Sequence, residues 1–126
     1  MTGGKPVVAI VDDDRRMLES LQELLESAGY SVLPFLSAKS LLASRELALI
    51  DCLIADVEMP TLDGFELQKR VKETRPEVPV ILITGRHEII EQQRATGQVI
   101  FGKPFDAAPL LHAISLSLRS RKEESQ

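Results

Sequence analysis

At 126 residues, 44% hydrophobic and 27% charged, the chain reads as one domain with ample apolar material for a core, which excludes disorder and leaves no room for two domains. Nineteen Asp and Glu stand against fifteen scattered Lys and Arg, a net charge of -4, so nucleic-acid binding by this chain itself is not expected. No apolar stretch approaches bilayer length, no basic and then apolar leader opens the sequence, and the one cysteine, Cys52, cannot close an internal disulfide; the expectation is a cytoplasmic protein with no membrane role.

Residues 1–5 form a small, glycine-containing lead-in. Val7-Val8-Ala9-Ile10-Val11 is a continuous apolar run, the pattern of a strand covered on both faces in a parallel sheet. It stops abruptly at Asp12, Asp13 and Asp14. Over residues 15–28, Met17, Leu18, Leu21, Leu24, Leu25 and Ala28 make the stripe of an amphipathic helix, which Gly29 ends as a left-handed cap. Ser31–Phe35 predicts a short strand, and Pro34 removes a backbone donor from it, which assigns it to a sheet edge. Ser37 is an N-cap for a short helix to about residue 43, and residues 47–50 have no clear period.

Residues 51–55 predict a third buried strand, with Cys52 as a small core residue, and it too ends on acids, Asp56 and Glu58. Residues 59–64 are a loop by their Pro60 and Gly64, after which Phe65, Leu67 and Val71 support a helix to about residue 74. Residues 80–83 predict a fourth buried strand, closing on Thr84-Gly85. A short polar helix over residues 88–96 ends at Gly97, and residues 99–101 make a fifth strand. Asp106 caps a last helix with Pro109 in its first turn and Leu110, Leu111, Ile114 and Leu118 on one face. Residues 120–126 read as a polar tail or the start of a linker, which leaves a core of residues 6–119. Strands and helices in strict alternation predict an α/β fold: a doubly wound parallel sheet with right-handed crossovers and helices on both faces. Its ligands belong at the carboxyl ends of the strands.

Those ends carry Asp12 to Asp14, Asp56, Thr84 and Lys103. Adjacent acids repel one another and lose hydration, so they raise each other's pKa unless a cation or hydrogen-bond donors compensate. A divalent metal answers that problem, and so does a solvated loop in which one acid, Asp14, caps the following helix. Singly, Asp56 reads as a turn acid, Thr84 as an N-cap and Lys103 as a solvated lysine. Together they have a different logic: Mg²⁺ takes one or two carboxylates with phosphate oxygens, a Thr hydroxyl donates to phosphate, and Lys neutralises it. A carboxylate held beside the metal can itself attack phosphorus. His87, in a loop, and His112, on the last helix, do not form a metal pair and take surface or core roles.

As an ordered set these residues resemble the receiver domains of two-component response regulators. The match covers residues 7–118, with Asp12-Asp13 after the first strand, Asp56-Val57-Glu58-Met59-Pro60 and then Asp63-Gly64 after the third, Thr84-Gly85 after the fourth, and Lys103-Pro104-Phe105 after the fifth. The resemblance implies a flavodoxin-like three-layer sandwich with strand order 2-1-3-4-5. It implies that Asp56 accepts a phosphoryl group from a sensor histidine kinase or phosphotransfer protein. Asp13 and Asp56 would bind Mg²⁺ directly, Asp12 would support the metal through water, and the Glu58 backbone carbonyl would complete the protein ligands. Lys103 would pair with the acceptor and then with the phosphoryl oxygens, and Thr84 would move to bond them. A cis Lys103-Pro104 bond is implied as well. Glu58 and Arg86 flank the acceptor and, by resemblance, tune phosphoryl lifetime. The signal would re-pack the face of the fourth helix, fifth strand and fifth helix toward an unknown output domain or protein, with a homodimer on phosphorylation as a family habit.

The segment between Gly85 and Lys103 departs from that pattern, because it leaves a fourth helix of only about nine residues, poor in apolar positions. Three residues before the lysine, where the family often carries an aromatic side chain coupled to the threonine, stands Ile100, with Phe101 next. One residue's shift turns a strand side chain to the opposite face, so Phe101 is expected in the core and the coupling absent. Other readings are a pseudo-receiver that binds partners constitutively and a Mg²⁺-dependent phosphohydrolase with Asp56 as nucleophile, the latter without an evident substrate-capping insertion. The chain is a stand-alone receiver or the receiver of a longer regulator.

Overall fold

The computed structural model describes residues 4–124; the first three residues of the expected lead-in and the last two of the expected tail lie outside the described residues. β1 (Val7–Val11), β2 (Ser31–Phe35), β3 (Cys52–Asp56), β4 (Val80–Thr84) and β5 (Ile100–Gly102) form one parallel sheet in the order β2-β1-β3-β4-β5. Between and after them come α1 (Arg15–Ser27), α2 (Ala38–Leu42), α3 (Gly64–Thr74), α4 (Ile90–Arg94) and α5 (Ala107–Glu124).

The apolar runs are continuous because β3 and β4 are buried along their whole length and β1 nearly so. Alternation then sorts each strand between two core layers. Val8 and Ile10 pack with Leu18, Leu21 and Leu25 of α1 and with Leu110 and Ile114 of α5. Ala9 and Val11 join Leu41 of α2, Leu67 and Val71 of α3, and Ile90 of α4. The result is the three-layer sandwich. β2 is the edge strand, and Pro34 sits opposite Ile10 of its single neighbour β1.

Three of the expected caps are in place. The Asp14 carboxylate accepts from the Arg16 and Met17 N–H groups, Ser37 accepts from Ser40 N–H, and Gly29 adopts φ +97° at the end of α1. Lys103-Pro104 is cis.

Several boundaries differ from the sequence reading. β3 starts at Cys52, one residue later than expected, because the Asp51 carboxylate turns back to accept from Val7 N–H at 2.8 Å. Residues 47–50 fall largely within a 3₁₀ turn, Arg45–Leu49, opened by Ser44 accepting from Glu46 N–H. Arg75 of the loop after α3 holds it, donating to the Leu47 carbonyl at 2.6 Å and the Ile50 carbonyl at 3.2 Å. The polar helix expected over residues 88–96 is shorter still, a 3₁₀ turn His87–Ile89 running into the five residues of α4. Ile90 is the one residue buried in that stretch, too little apolar surface to hold a longer helix. Thr96 then donates to the Gln93 carbonyl at 2.6 Å, and Gly97 closes the turn at φ +88°. β5 lies one residue further along than expected, paired as Leu82 with Ile100 and Ile83 with Phe101. α5 runs through Glu124 where a polar tail was expected from residue 120, since Arg, Lys and Glu are good helix formers that extend a helix already nucleated on its apolar face. Among the described residues no helix is long and apolar enough to cross a membrane.

Candidate functional site

The carboxyl ends of β1, β3, β4 and β5 meet on one rim of the sheet, and the side chains singled out in the sequence converge there. Asp12 is 2% exposed, Asp56 4% and Thr84 0%, whereas Asp13 stands in solvent. The Lys103 ammonium donates to Asp12 Oδ2 at 3.0 Å and lies 3.2 Å from Asp56 Oδ2. One carboxylate oxygen from each of Asp12, Asp13 and Asp56 falls within 4.8 Å of the others. Three hard oxygen donors so grouped fit a small divalent cation such as Mg²⁺. Asp14 faces away as the helix cap, and its N–H donates to Asp12 Oδ1 at 2.9 Å, fixing the turn that aims Asp12 inward.

The electrostatics follow from this crowding. Burial first, and then the Asp12 charge, push the Asp56 carboxyl up to about 6, against the lowering effect of Lys103 and of the Glu58 N–H bond. Burial alone would lower Lys103; the hydrogen bond and charge of Asp12, with those of Asp56, outweigh it and hold the ammonium above its ordinary value. Lys103 is thus charged while its two acids compete for it.

Asp56 is fixed from below by α3. Asp63 caps that helix by accepting from Glu66 N–H at 2.9 Å, and Gly64 N–H donates to the Val57 carbonyl at 3.1 Å. A Cβ on Gly64 would come within 2.6 Å of the Asp56 carbonyl oxygen and 2.9 Å of Val57 Cα. Both are backbone atoms that cannot step aside. Gly64→Ala is therefore expected to cost about 2 kcal/mol, as overpacking does, measured by urea unfolding. A change under about 0.5 kcal/mol would mean that α3 does not constrain the end of β3.

The remaining residues divide. Arg86 turns outward, its guanidinium 3.0 Å from Glu88 on the surface, while its backbone N–H donates to Thr84 Oγ1 at 2.9 Å. Ile100 is buried in the layer that contains Ile90 and Leu82, and Phe101 faces the opposite layer with α1 and α5. The β5 register is continuous, with no bulge to bring Phe101 round. His112 is exposed on α5.

Three contacts of the site had no sequence signal. The Glu58 carboxylate accepts from the Thr84 hydroxyl at 2.6 Å and from Gly85 N–H at 2.9 Å, joining the ends of β3 and β4. His87 Nε2 lies 3.0 Å from the Lys103 carbonyl, above Gly102, where a Cβ would meet the ring at 2.6 Å. Only a glycine leaves space for that imidazole.

A parallel sheet in this strand order, with acidic, hydroxyl and ammonium side chains gathered at its carboxyl edge, defines a doubly wound, flavodoxin-like α/β domain. The family model of the response regulator receiver domain matches residues 8–115, and the chain belongs to that family of signalling modules. Response regulator protein TodT of Pseudomonas putida F1 is 36% identical over 122 residues, which cover 94% of this chain and 54% of TodT. Transcriptional regulatory protein FixJ of Bradyrhizobium diazoefficiens is 33% identical over 115 residues, 89% of this chain and 56% of FixJ. The chain spans about half the length of these curated relatives. Among solved structures, response regulator StyR superposes with a TM-score of 0.83 at 35% identity, covering 98% of this chain and 64% of that one. A CheY-like receiver domain protein from Methanospirillum hungatei superposes at 0.82 and 27% identity, covering 96% and 99%.

Proposed function

We propose that this domain is the phosphoacceptor of a two-component phosphorelay in the cytoplasm, and that Asp56 takes a phosphoryl group from a histidine kinase or phosphotransfer protein. The observation that carries this reading is the position of Asp56: buried at the end of a central strand, 3.2 Å from the Lys103 ammonium and grouped with Asp12 and Asp13. In the transfer an Asp56 carboxylate oxygen bonds to phosphorus while the bond from phosphorus to the donor's histidine nitrogen breaks, and the electron pair stays on that nitrogen. Lys103 releases Asp56 and neutralises the phosphoryl oxygens as a point charge. Asp13, Asp56 and the Glu58 carbonyl would hold Mg²⁺, with Asp12 supporting it through water, and the ion would supply neutralisation of the phosphoryl charge.

The product adds almost two negative charges and three acceptor oxygens to the rim. Thr84 and Lys103 are drawn toward it, and α4, β5 and α5 re-pack behind them to present the signal to an output domain or protein. Moving the population from mostly off to mostly on requires about 5 kcal/mol of differential interaction. Ile100 fills the switch position with an aliphatic side chain, so an aromatic residue is not part of this coupling. No activity beyond self-phosphorylation and self-dephosphorylation is assigned.

Intact-mass spectrometry after incubation with phosphoramidate and Mg²⁺ tests the reading. A single labile phosphoryl adduct is expected, absent in Asp56→Asn and absent without metal. No adduct under any condition would sink the phosphoacceptor role and leave a constitutive binding module.

A further inference from the structure

The hydroxyl of Thr84 carries one proton and is fully committed. It donates to Glu58 Oε2 at 2.6 Å and accepts from Arg86 N–H at 2.9 Å, at a residue with no exposed surface. The other Glu58 oxygen takes Gly85 N–H at 2.9 Å. One carboxylate therefore holds both donors at the tip of β4 that face the end of β3. Its own backbone N–H lies 3.3 Å from Asp56 Oδ1, so the side chain is anchored immediately beside the acceptor.

A phosphoryl group on Asp56 and the Glu58 carboxylate are both anions seeking the same proton. Only one can have it. We propose that Glu58 is a built-in competitor of the phosphoryl group, a carboxylate latch on Thr84 and Gly85 that must swing out before Thr84 can donate to phosphorus-bound oxygen. This rests on the phosphoacceptor reading above and adds to it a residue that sets how readily the reaction proceeds.

The geometry makes the latch releasable. Glu58 is an exposed residue on a loop, so its carboxylate has solvent to enter once displaced. Both bonds that hold it are charge-assisted, so release costs more than breaking neutral hydrogen bonds would. An incoming phosphoryl group adds like-charge repulsion against Glu58 and offers Thr84 a replacement acceptor. Thr84 can stabilise charge developing on the transferring group only after that exchange. The latch thus raises the barrier to phosphorylation and holds the end of β4 in its unphosphorylated position.

The test is the initial rate of Asp56 phosphorylation by phosphoramidate with Mg²⁺, followed by intact mass. In this reaction an Asp56 oxygen bonds to phosphorus, the phosphorus–nitrogen bond breaks, and the already protonated nitrogen leaves with the electron pair as ammonia. Initial rates keep uptake separate from loss. Glu58→Ala frees both donors and is expected to react about tenfold faster than the wild type. Glu58→Gln keeps the shape and one acceptor without the charge, and its rate should fall between the two. In a Thr84→Val background the gain from Glu58→Ala should shrink to less than about twofold, because no hydroxyl remains to be freed. An adduct on the wild type with equal rates in the Glu58 variants, or an equal gain with and without the Thr84 hydroxyl, overturns the latch alone. No adduct on the wild type or any variant overturns the phosphoacceptor reading and the latch with it.

Discussion

Replacing Lys103 by methionine is expected to destabilise the metal-free protein by about 3 kcal/mol at pH 7, the low end of what removing one partner of a buried ion pair costs. Methionine preserves most of the apolar stem, so the loss reports the ammonium. That group lies 3.0 Å from Asp12 Oδ2 and 3.2 Å from Asp56 Oδ2, and both acids are almost fully buried. Without it the two carboxylates face each other in a site that Asp13 makes more negative still. The folded-state pKa of Asp56, already raised by burial, must rise further above that of the unfolded chain. A raised carboxyl pKa lowers stability above the folded value and leaves it unaffected below the unfolded one. The deficit of the variant should therefore shrink as pH falls from 7 toward 4, where Asp56 protonates. Lys103→Met combined with Asp56→Asn should recover most of the loss, since one of the opposed charges is then gone. Urea unfolding at pH 7 and pH 4.5 decides the matter: a deficit equal at both pH values, and unrelieved in the double variant, would mean that the lysine contributes through packing alone.

The sequence made the fold legible wherever burial was two-sided or amphipathic. Val7–Val11 and residues 80–83 are apolar without a break because each is covered by helices on both faces, and Pro34 marked the edge because only an edge strand tolerates a missing donor. The strand tips were equally legible, since the parallel topology sends every carboxyl end to one rim and Asp12, Asp13, Asp56, Thr84 and Lys103 were already in sight. The hidden features were those that depend on distant partners. Arg75 holding the Leu47 and Ile50 carbonyls leaves no period in the chain, and neither does His87 lying over Gly102. Glu58 was visible as a neighbour of Asp56, but its hold on Thr84 depends on a contact across 26 positions. Local patterning encodes which face is buried; it does not encode which polar atoms meet across the rim.

Asp56→Asn is expected to stabilise the metal-free protein by about 2 kcal/mol at pH 8, with the advantage gone at pH 4. The Asp56 carboxyl titrates at about 6 in the folded protein, raised first by burial and then by Asp12. In the unfolded chain it titrates near 3.9. Between those values the folded state binds a proton that the unfolded state has lost, so wild-type stability falls as pH rises from about 4 to about 6 and is level above that. Asparagine has no charge to desolvate and leaves Lys103 with Asp12 as its partner, so it escapes the fall. The wild-type and variant curves should therefore coincide near pH 4, diverge through pH 5 and 6, and run parallel beyond. Saturating Mg²⁺ should narrow the gap at pH 8, because a cation that binds only the folded state stabilises the wild type through the same carboxylate. Thermal unfolding across this range with and without Mg²⁺ would test the balance directly. Equal stabilities at pH 8 without metal would show that Lys103 already compensates the Asp56 charge in full. In that event Asp56 would hold no stored electrostatic strain for a metal or phosphoryl group to relieve, and the proposed displacement of Glu58 from Thr84 would have to be driven by the phosphoryl oxygens alone.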